Sequence, residues 1–481
     1  MNNMLDFNKI FIKYANNTAL ITSGEKINYG HLFNTIFHLH SHFIELGIKQ
    51  NDYIAVLDSS THRQTLAILS IILYGAVAIP INNKFPPNNI ATMLKSINCE
   101  KIFSDENITW IGAFNLKLRV LPSDIFKISD REPSNLVKIP KIILDRKSTI
   151  LFTSGSTNSP KAVVHSFGNH YCSALGSNAN IKILPEDKWL LSLQLHHIGG
   201  LAILFRTFIA GGTIVIPEKN TNLLEIILRH QITHVSMVPT QLKRLIEILP
   251  TKKKLKHLKA ILIGGDKITK RLFNDAKKYK LPIYLSYGST EMSSQITTTS
   301  EQQIYDNNIT YGKSLLHRKI MLNNAGDILV KGKTLFKGYA YESNTITRLT
   351  SSGWFETGDI GKFDDDGNLI ITGRKDNMFI SGGINIHPEE IEQILENHPS
   401  IFKAVVIPVD DIEFGKRSIA IVHMEEKQII DHENFNAFIR KFLPAYKCPI
   451  KYYKYTELED SFKTDRKYLT EIFQKLYTHD K

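Results

Sequence analysis

The residues from Ile150 to Lys161 read Ile-Leu-Phe-Thr-Ser-Gly-Ser-Thr-Asn-Ser-Pro-Lys. An apolar strand runs into a loop crowded with small hydroxyl side chains, one glycine and a lysine. Such a loop can wrap a phosphate chain: Thr153, Ser154, Ser156 and Thr157 offer hydroxyl donors, Gly155 lets backbone N–H groups approach, and Lys161 adds positive charge. The Gly–Lys spacing is not that of a GxxxxGK phosphate loop. Taken alone, the stretch also reads as a polar connection between two strands.

The elements that must hold this loop follow from periodicity. Leu32, Ile36, Leu39, Phe43 and Leu46 recur at helical spacing, and Tyr53 to Leu57 reads as a short strand. A helix over Thr65 to Leu73 and a strand over Ala76 to Ile81 come next. Further short strands are expected at Trp189 to Leu193, Gly212 to Ile216, His234 to Val238, Ala260 to Ile263 and Ile283 to Ser286, most of them separated by helical stretches. This alternation predicts an α/β fold with largely parallel sheets. From Lys319 the texture changes. Asp364-Asp365-Asp366-Gly367-Asn368 lies between two apolar runs and signals a hairpin turn. Beyond Gly373-Arg374-Lys375-Asp376 a compact α+β segment is expected, with helices at Glu389 to Asn397 and Phe435 to Phe442 and strands at Ala404 to Val409 and Ser418 to Met424. The domains are therefore placed at 1–375 and 376–481.

With 481 residues the chain is too long for one core. Cys99, Cys172 and Cys448 form no CxxC pair, which argues against a disulfide framework or a cysteine zinc site and fits a reducing compartment, so the cytoplasm is expected. Met1 to Tyr14 does not read as a signal peptide. The most apolar run, Leu66 to Ile81, is interrupted by Gly75 and Pro80 and is short for a membrane span, so a buried helix running into a buried strand is expected. The net charge is +12, from 59 basic and 47 acidic residues. It admits nucleic acid, a membrane surface or polyanionic small molecules as partners. The densest basic cluster, Lys252 to Lys256, lacks interleaved aromatic residues and reads as a solvated turn, so no nucleic acid and no membrane insertion are expected.

Thr153 to Lys161 resembles the phosphate loop of the acyl- and aryl-CoA synthetase superfamily, the adenylate-forming enzymes. In the order of that family follow Tyr287-Gly288-Ser289-Thr290-Glu291, similar to its YGxTE motif, Thr357-Gly358-Asp359, similar to TGD, Gly373-Arg374-Lys375-Asp376, similar to the GRxD hinge, and Ser381-Gly382-Gly383 just beyond. The resemblance covers nearly the whole chain. It implies a large N-terminal domain of parallel sheets, packed helices and a small barrel-like part, followed by a small mobile α+β domain. It also implies the use of ATP, Mg²⁺ and CoA to turn a carboxylic acid into an acyl-adenylate and then a thioester. In these roles Tyr287 offers an aromatic face to adenine. Gly288 belongs to the same nucleotide segment, and Thr290 donates to the α-phosphate. Glu291 supplies a hard oxygen to Mg²⁺. Asp359 accepts from the ribose hydroxyls, and Arg374 reaches ribose or phosphate. Asp376 is the hinge, and Gly382 and Gly383 let a pantetheine arm pass. Lys463 corresponds to the lysine that neutralises charge in the first step, with Lys467 as the alternative. The chain departs from the family at Asn158 and Ala162, where glycines are usual, and at Phe462, where the family more often has glycine.

Leu195-His196-His197-Ile198-Gly199-Gly200-Leu201 resembles the segment in which a histidine, here His197, gates the acyl pocket. His196 reads as a core histidine. Segments at 166–177, 238–242, 376–383 and 413–417 resemble the branch of the superfamily that activates o-succinylbenzoate, an aromatic dicarboxylate, for menaquinone synthesis. Arg206, Thr240 and Gln241 are candidates by position for the second carboxylate, although Arg206 reads equally well as a helix-surface residue. Another aryl- or fatty-acyl-CoA ligase is the second reading. A non-catalytic nucleotide-binding protein is the third, and Glu291, Lys463 and the hinge argue against it. The partners expected are the acid, ATP and CoA, and a homo-oligomer is left open.

Overall fold

The computed structural model describes residues 4–105, 119–122, 125–126, 141–153, 160–218, 221–249, 255–303, 309–342, 344–347, 349–455 and 466–479. Ser154, Gly155, Ser156, Thr157 and Lys463 lie outside these residues.

Two large mixed sheets carry the first part of the chain. Among the described residues one has eight strands, with Lys147–Thr153, Val77–Pro80, Tyr53–Leu57, Lys101–Ser104 and Arg119–Pro122 running parallel through its middle and one end. The other has nine, with Ile283–Ser289, Ala260–Ile263, His234–Met237, Lys188–Leu190, Thr213–Val215 and Thr18–Ile21 parallel and antiparallel strands at both edges. Helices Tyr29–Glu45, Thr61–Tyr74, Phe167–Asn180 and Ile198–Ala210 share one hydrophobic cluster with residues of both sheets. Strands covered on both faces read as continuous apolar runs, which is why their existence was legible in the sequence.

The run Leu66 to Ile81 divides as expected. Ser60 caps helix Thr61–Tyr74 by accepting from Arg63 N, and Gly75 ends it at φ +112, a conformation that costs glycine little. Strand Val77–Pro80 follows, wholly buried. No helix of the described residues is long and apolar enough to cross a membrane.

The change of texture after Lys319 is a four-stranded antiparallel sheet, Arg318–Leu322, Asp327–Gly332, Phe355–Phe363 and Leu369–Arg374. It is antiparallel throughout, unlike the two mixed sheets that precede it. The Asp364 carboxylate accepts from the N–H groups of Asp366 and Asn368 and closes the predicted hairpin turn. Residues after Lys375 carry two hydrophobic clusters of their own, built on helices Pro388–Leu395, His432–Arg440 and Arg466–His479 and the three-stranded sheet Lys403–Asp411, Gly415–His423 and Lys451–Lys454.

Candidate active site

A cleft of about 2950 Å³ opens between the large part of the chain and the segment after Lys375. Residues of both line it, among them Thr153, Lys161, His197, Arg206, Thr240, Tyr287, Gly288, Thr290, Glu291, Asp359, Arg374 and Asp376. Positions that are far apart in sequence thus meet on one surface.

Thr153 and Lys161 face each other as the last and first paired residues of two antiparallel strands, so residues 154–160 lie between them in the chain. Lys161 Nζ lies 5.4 Å from the centroid of the Tyr339 ring.

Strand Ile283–Ser289 delivers Tyr287 and Gly288, and a single 3₁₀ turn, Thr290–Met292, presents Thr290 and Glu291. A side chain on Gly288 would collide with the Ser294 carbonyl, so the close return of strand Ser294–Thr298 requires glycine there. Ser293 and Ser294 make that return with φ of 55 and 99, conformations unfavourable for non-glycine residues. They are held by Ser173 Oγ donating to Ser293 O at 2.5 Å and Ser293 Oγ donating to Thr334 O at 2.9 Å. The turn is also pinned from beneath. His165 Nε2 donates to Thr290 O at 2.7 Å, and Phe336 N donates to Glu291 O at 2.8 Å. His165 is fully buried, and burial pushes its pKa down to about 4, so the ring is neutral at physiological pH.

The Asp359 carboxylate accepts from Tyr287 Oη at 2.7 Å and lies 3.1 Å from Arg374 Nη1. Asp359 and Arg374 are direct partners in the ladder between strands Phe355–Phe363 and Leu369–Arg374, so backbone register alone brings the acid to the base. Burial, and after it the Asp359 charge, holds the Tyr287 phenol well above its usual range, so it stays a donor. Arg374 also lies 3.7 Å from the exposed Asp376 in the next turn.

The Glu291 carboxylate accepts from Tyr339 Oη at 2.9 Å through Oε1. Among the described residues no group of three or more acidic, histidine or cysteine side chains could hold a metal. One carboxylate on the wall of the cleft does fit Mg²⁺, which usually takes one or two carboxylates and completes its shell with phosphate oxygens and water.

At the other end of the cleft, His197 is exposed to it at the start of helix Ile198–Ala210, while His196 packs against the His197 ring, 4.4 Å between centroids. Burial drives the His196 pKa down to about 3. Arg206 corrects the expectation of a helix-surface residue, because it is only 1% exposed. Nε donates to Ala202 O at 3.2 Å, Nη2 reaches Ser294 Oγ at 3.5 Å, and the guanidinium lies 4.9 Å from the Trp189 ring. Its Nη1 is buried with no hydrogen-bond partner. Burial lowers its pKa to about 9, which leaves it charged.

Three sequence-predicted positions fall elsewhere. Gln241 is not among the lining residues: its carboxamide accepts from Val238 N and donates to Ser192 O, tying down the start of helix Pro239–Ile248. Gly382 and Gly383, at φ +55 and +82, turn the hairpin between Phe379–Ser381 and Ile384–Ile386 and pack by Phe414, away from the cleft lining. Lys467 lines the cleft in the first turn of helix Arg466–His479. Sequence reasoning missed His165 and Tyr339. Each stands in a short strand that matches no motif.

Residues 9–340 match the family described as AMP-binding enzyme, and residues 390–461 match the AMP-binding enzyme C-terminal domain. The chain is 30% identical over 448 residues to a 2-succinylbenzoate–CoA ligase of Bacillus velezensis, covering 91% of each. The o-succinylbenzoate CoA synthetase of Bacillus subtilis, solved with the acyl-adenylate intermediate OSB-AMP, superposes with a TM-score of 0.83 at 26% identity over 96% of this chain and 95% of that one. The same enzyme solved with ATP and magnesium ion gives 0.82 at 27% identity over 93% and 95%.

Proposed function

The chain belongs to the AMP-binding enzyme family, and from that premise we propose that it is an acid–thiol ligase that activates o-succinylbenzoate with ATP and passes it to CoA. In the first step a carboxylate oxygen of the acid attacks the α-phosphorus, the bond to the β-phosphate oxygen breaks, and pyrophosphate leaves. In the second, the thiol sulfur of CoA attacks the acyl carbonyl and AMP departs. Both reactants of the first step are anions, so positive charge has to be placed before they can meet. Thr153, Lys161 and the 154–157 hydroxyl loop hold the phosphates. Thr290 donates to the α-phosphate, and Glu291 with the phosphate oxygens holds Mg²⁺, which neutralises the charge that builds up. Tyr287, Gly288, Asp359 and Arg374 seat the nucleoside. His197, Arg206 and Thr240 line the acyl end. Lys463 supplies the remaining cation.

The choice of acid rests on one observation, the buried and unpartnered Nη1 of Arg206. A guanidinium taken out of water without a carboxylate is costly to the apo protein. A dicarboxylate supplies that partner and leaves its other carboxylate for the phosphorus, whereas benzoate or a fatty acid supplies nothing there. In this reading residues 376–481 swing about Asp376 between the two steps, bringing Gly382 and Gly383 to the cleft for CoA, and the reaction belongs to the cytoplasm, where ATP and CoA are available. Pyrophosphate release assayed across o-succinylbenzoate, benzoate and long-chain fatty acids tests the assignment. Turnover is expected with o-succinylbenzoate. Strong turnover with the others and none with it would overturn the choice of acid.

A further inference from the structure

Tyr339 belongs to none of the motifs, yet it touches both charged ends of the phosphate region. It sits in strand Gly338–Tyr341, antiparallel to Lys161–Ser166 with Val163 opposite Tyr339. Side chains two apart on a strand share a face, so Lys161, Val163 and Tyr339 project the same way. The ring packs edge-on to Phe336, 4.9 Å between centroids and 68° between planes. Phe336 is the residue whose N–H holds the Glu291 carbonyl. One end of the phenol therefore rests on the segment that fixes the Glu291 backbone. The other end, Oη, donates to Glu291 Oε1 at 2.9 Å, and the ring face receives Lys161 Nζ at 5.4 Å.

We propose that Tyr339 is a positioning residue for the metal–triphosphate end of the site. Its hydroxyl fixes the Glu291 carboxylate, and its ring seats the Lys161 cation. The inference rests on the reading of Glu291 as the Mg²⁺ ligand. A glutamate in an open cleft samples many rotamers, and ordering it at the moment of metal binding costs side-chain entropy. A phenol donating to a carboxylate is a charge-assisted hydrogen bond that removes this cost in advance and engages one oxygen. Among the described residues no hydrogen bond to Glu291 Oε2 is found, so that oxygen can meet a cation. The cation–ring contact keeps the Lys161 ammonium beside the carboxylate without an ion pair between them, which would neutralise both before the nucleotide arrived.

The test uses Mn²⁺ as the metal probe, with a non-hydrolysable ATP analogue, on the full chain. Free Mn²⁺ is read by electron paramagnetic resonance, so the readout does not depend on turnover. Tyr339→Phe keeps the ring and its packing and removes only the hydroxyl. Its Mn²⁺ affinity is expected to fall roughly 10–100-fold, the loss typical when the group that orients a metal ligand is removed. In a Glu291→Gln background the same change is expected to do nothing further, because the group it positions is gone. Additive effects in the double variant, or wild-type affinity in Tyr339→Phe, overturn the inference and leave the function untouched. A wild-type chain that takes up no Mn²⁺ with the analogue overturns the metal reading of Glu291, and this inference with it.

Discussion

Lys267 Nζ lies 3.8 Å from the Glu396 carboxylate, joining the loop after strand Ala260–Ile263 to the end of helix Pro388–Leu395 across the cleft. Arg271 adds a second contact over the Phe402 ring at 4.4 Å. Glu396 is largely buried there with Lys267, Glu392, Lys403 and Tyr311 around it and Ala404 N donating to it. Burial is the larger influence and carries its pKa from 4.5 up to about 7, while Lys267 pulls it back.

The consequence for stability has a definite sign. Between about pH 4.5 and 7 the native Glu396 keeps a proton that the unfolded chain has released, so its contribution to stability is full below 4.5 and is lost as pH rises through 7. Glu396→Gln is neutral throughout. It is expected to be more stable than the wild type at pH 8, by about 1–3 kcal/mol, and to match it near pH 4.5. Urea denaturation at the two pH values checks this. A variant less stable at pH 8 would mean that the pair with Lys267 outweighs the cost of burying the charge.

Arg206 separates stability from function. Its uncompensated burial predicts that Arg206→Met is neutral or stabilising by about 1–3 kcal/mol, because an apolar side chain of similar length removes an ion that the apo protein does not pair. The same change is expected to raise KM for o-succinylbenzoate by roughly 10–100-fold, through loss of a charged hydrogen bond, with KM for ATP unmoved. Thermal unfolding without ligand and steady-state kinetics in each substrate are the two measurements. A large loss of stability would show that Arg206 is held by the fold and not by the acid.

Much of this was readable beforehand, and the reasons are physical. Strands covered on both sides, such as Val77–Pro80 and Ala260–Ile263, announce themselves because every position must be apolar. The ladder that pairs Asp359 with Arg374 was foreshadowed by Asp364 and Gly367, which close the turn between their strands. Arg206 was ambiguous because a single cation in a helix reads as exposed, and only tertiary packing against Trp189 places it inside. His165 and Tyr339 were invisible for the converse reason. Each acts through long-range contacts, His165 to Thr290 and Tyr339 to Glu291 and Lys161, that no local pattern encodes.

Asp359 is tied up before any nucleotide arrives, with Tyr287 on one oxygen and Arg374 on the other. An ionised carboxylate is acceptor-only, which suits it to the two ribose hydroxyls. Asp359→Asn replaces one acceptor oxygen with a donor and removes the ion pair. Affinity for AMP, measured by calorimetry, is expected to fall about tenfold or more. Tyr287 still finds the remaining carbonyl oxygen, so the fold is expected to lose about 1 kcal/mol or less, since the ion pair it gives up is partly exposed. Loss of folding with AMP affinity intact would assign Asp359 to the hairpin and not to the nucleotide.

The lysine of the first step can be assigned by contrast. Arg466 opens the last helix and is held in place by Glu392 at 2.6 Å and Glu389 at 3.6 Å. Lys467 follows it at the cleft, while Lys463 stands three residues before Arg466 and lies outside the described residues. A charge needed only where two anions meet affects adenylation and not the later attack of a thiol on a neutral carbonyl. Lys463→Ala is therefore expected to slow adenylation by roughly 10²–10³-fold, the cost typical of removing a group that stabilises transition-state charge, and to leave thioester formation from preformed adenylate within a small factor. Lys467→Ala is expected to change neither step appreciably. Pyrophosphate release and single-turnover thioester formation separate the two steps, and the reverse pattern would move the role to Lys467.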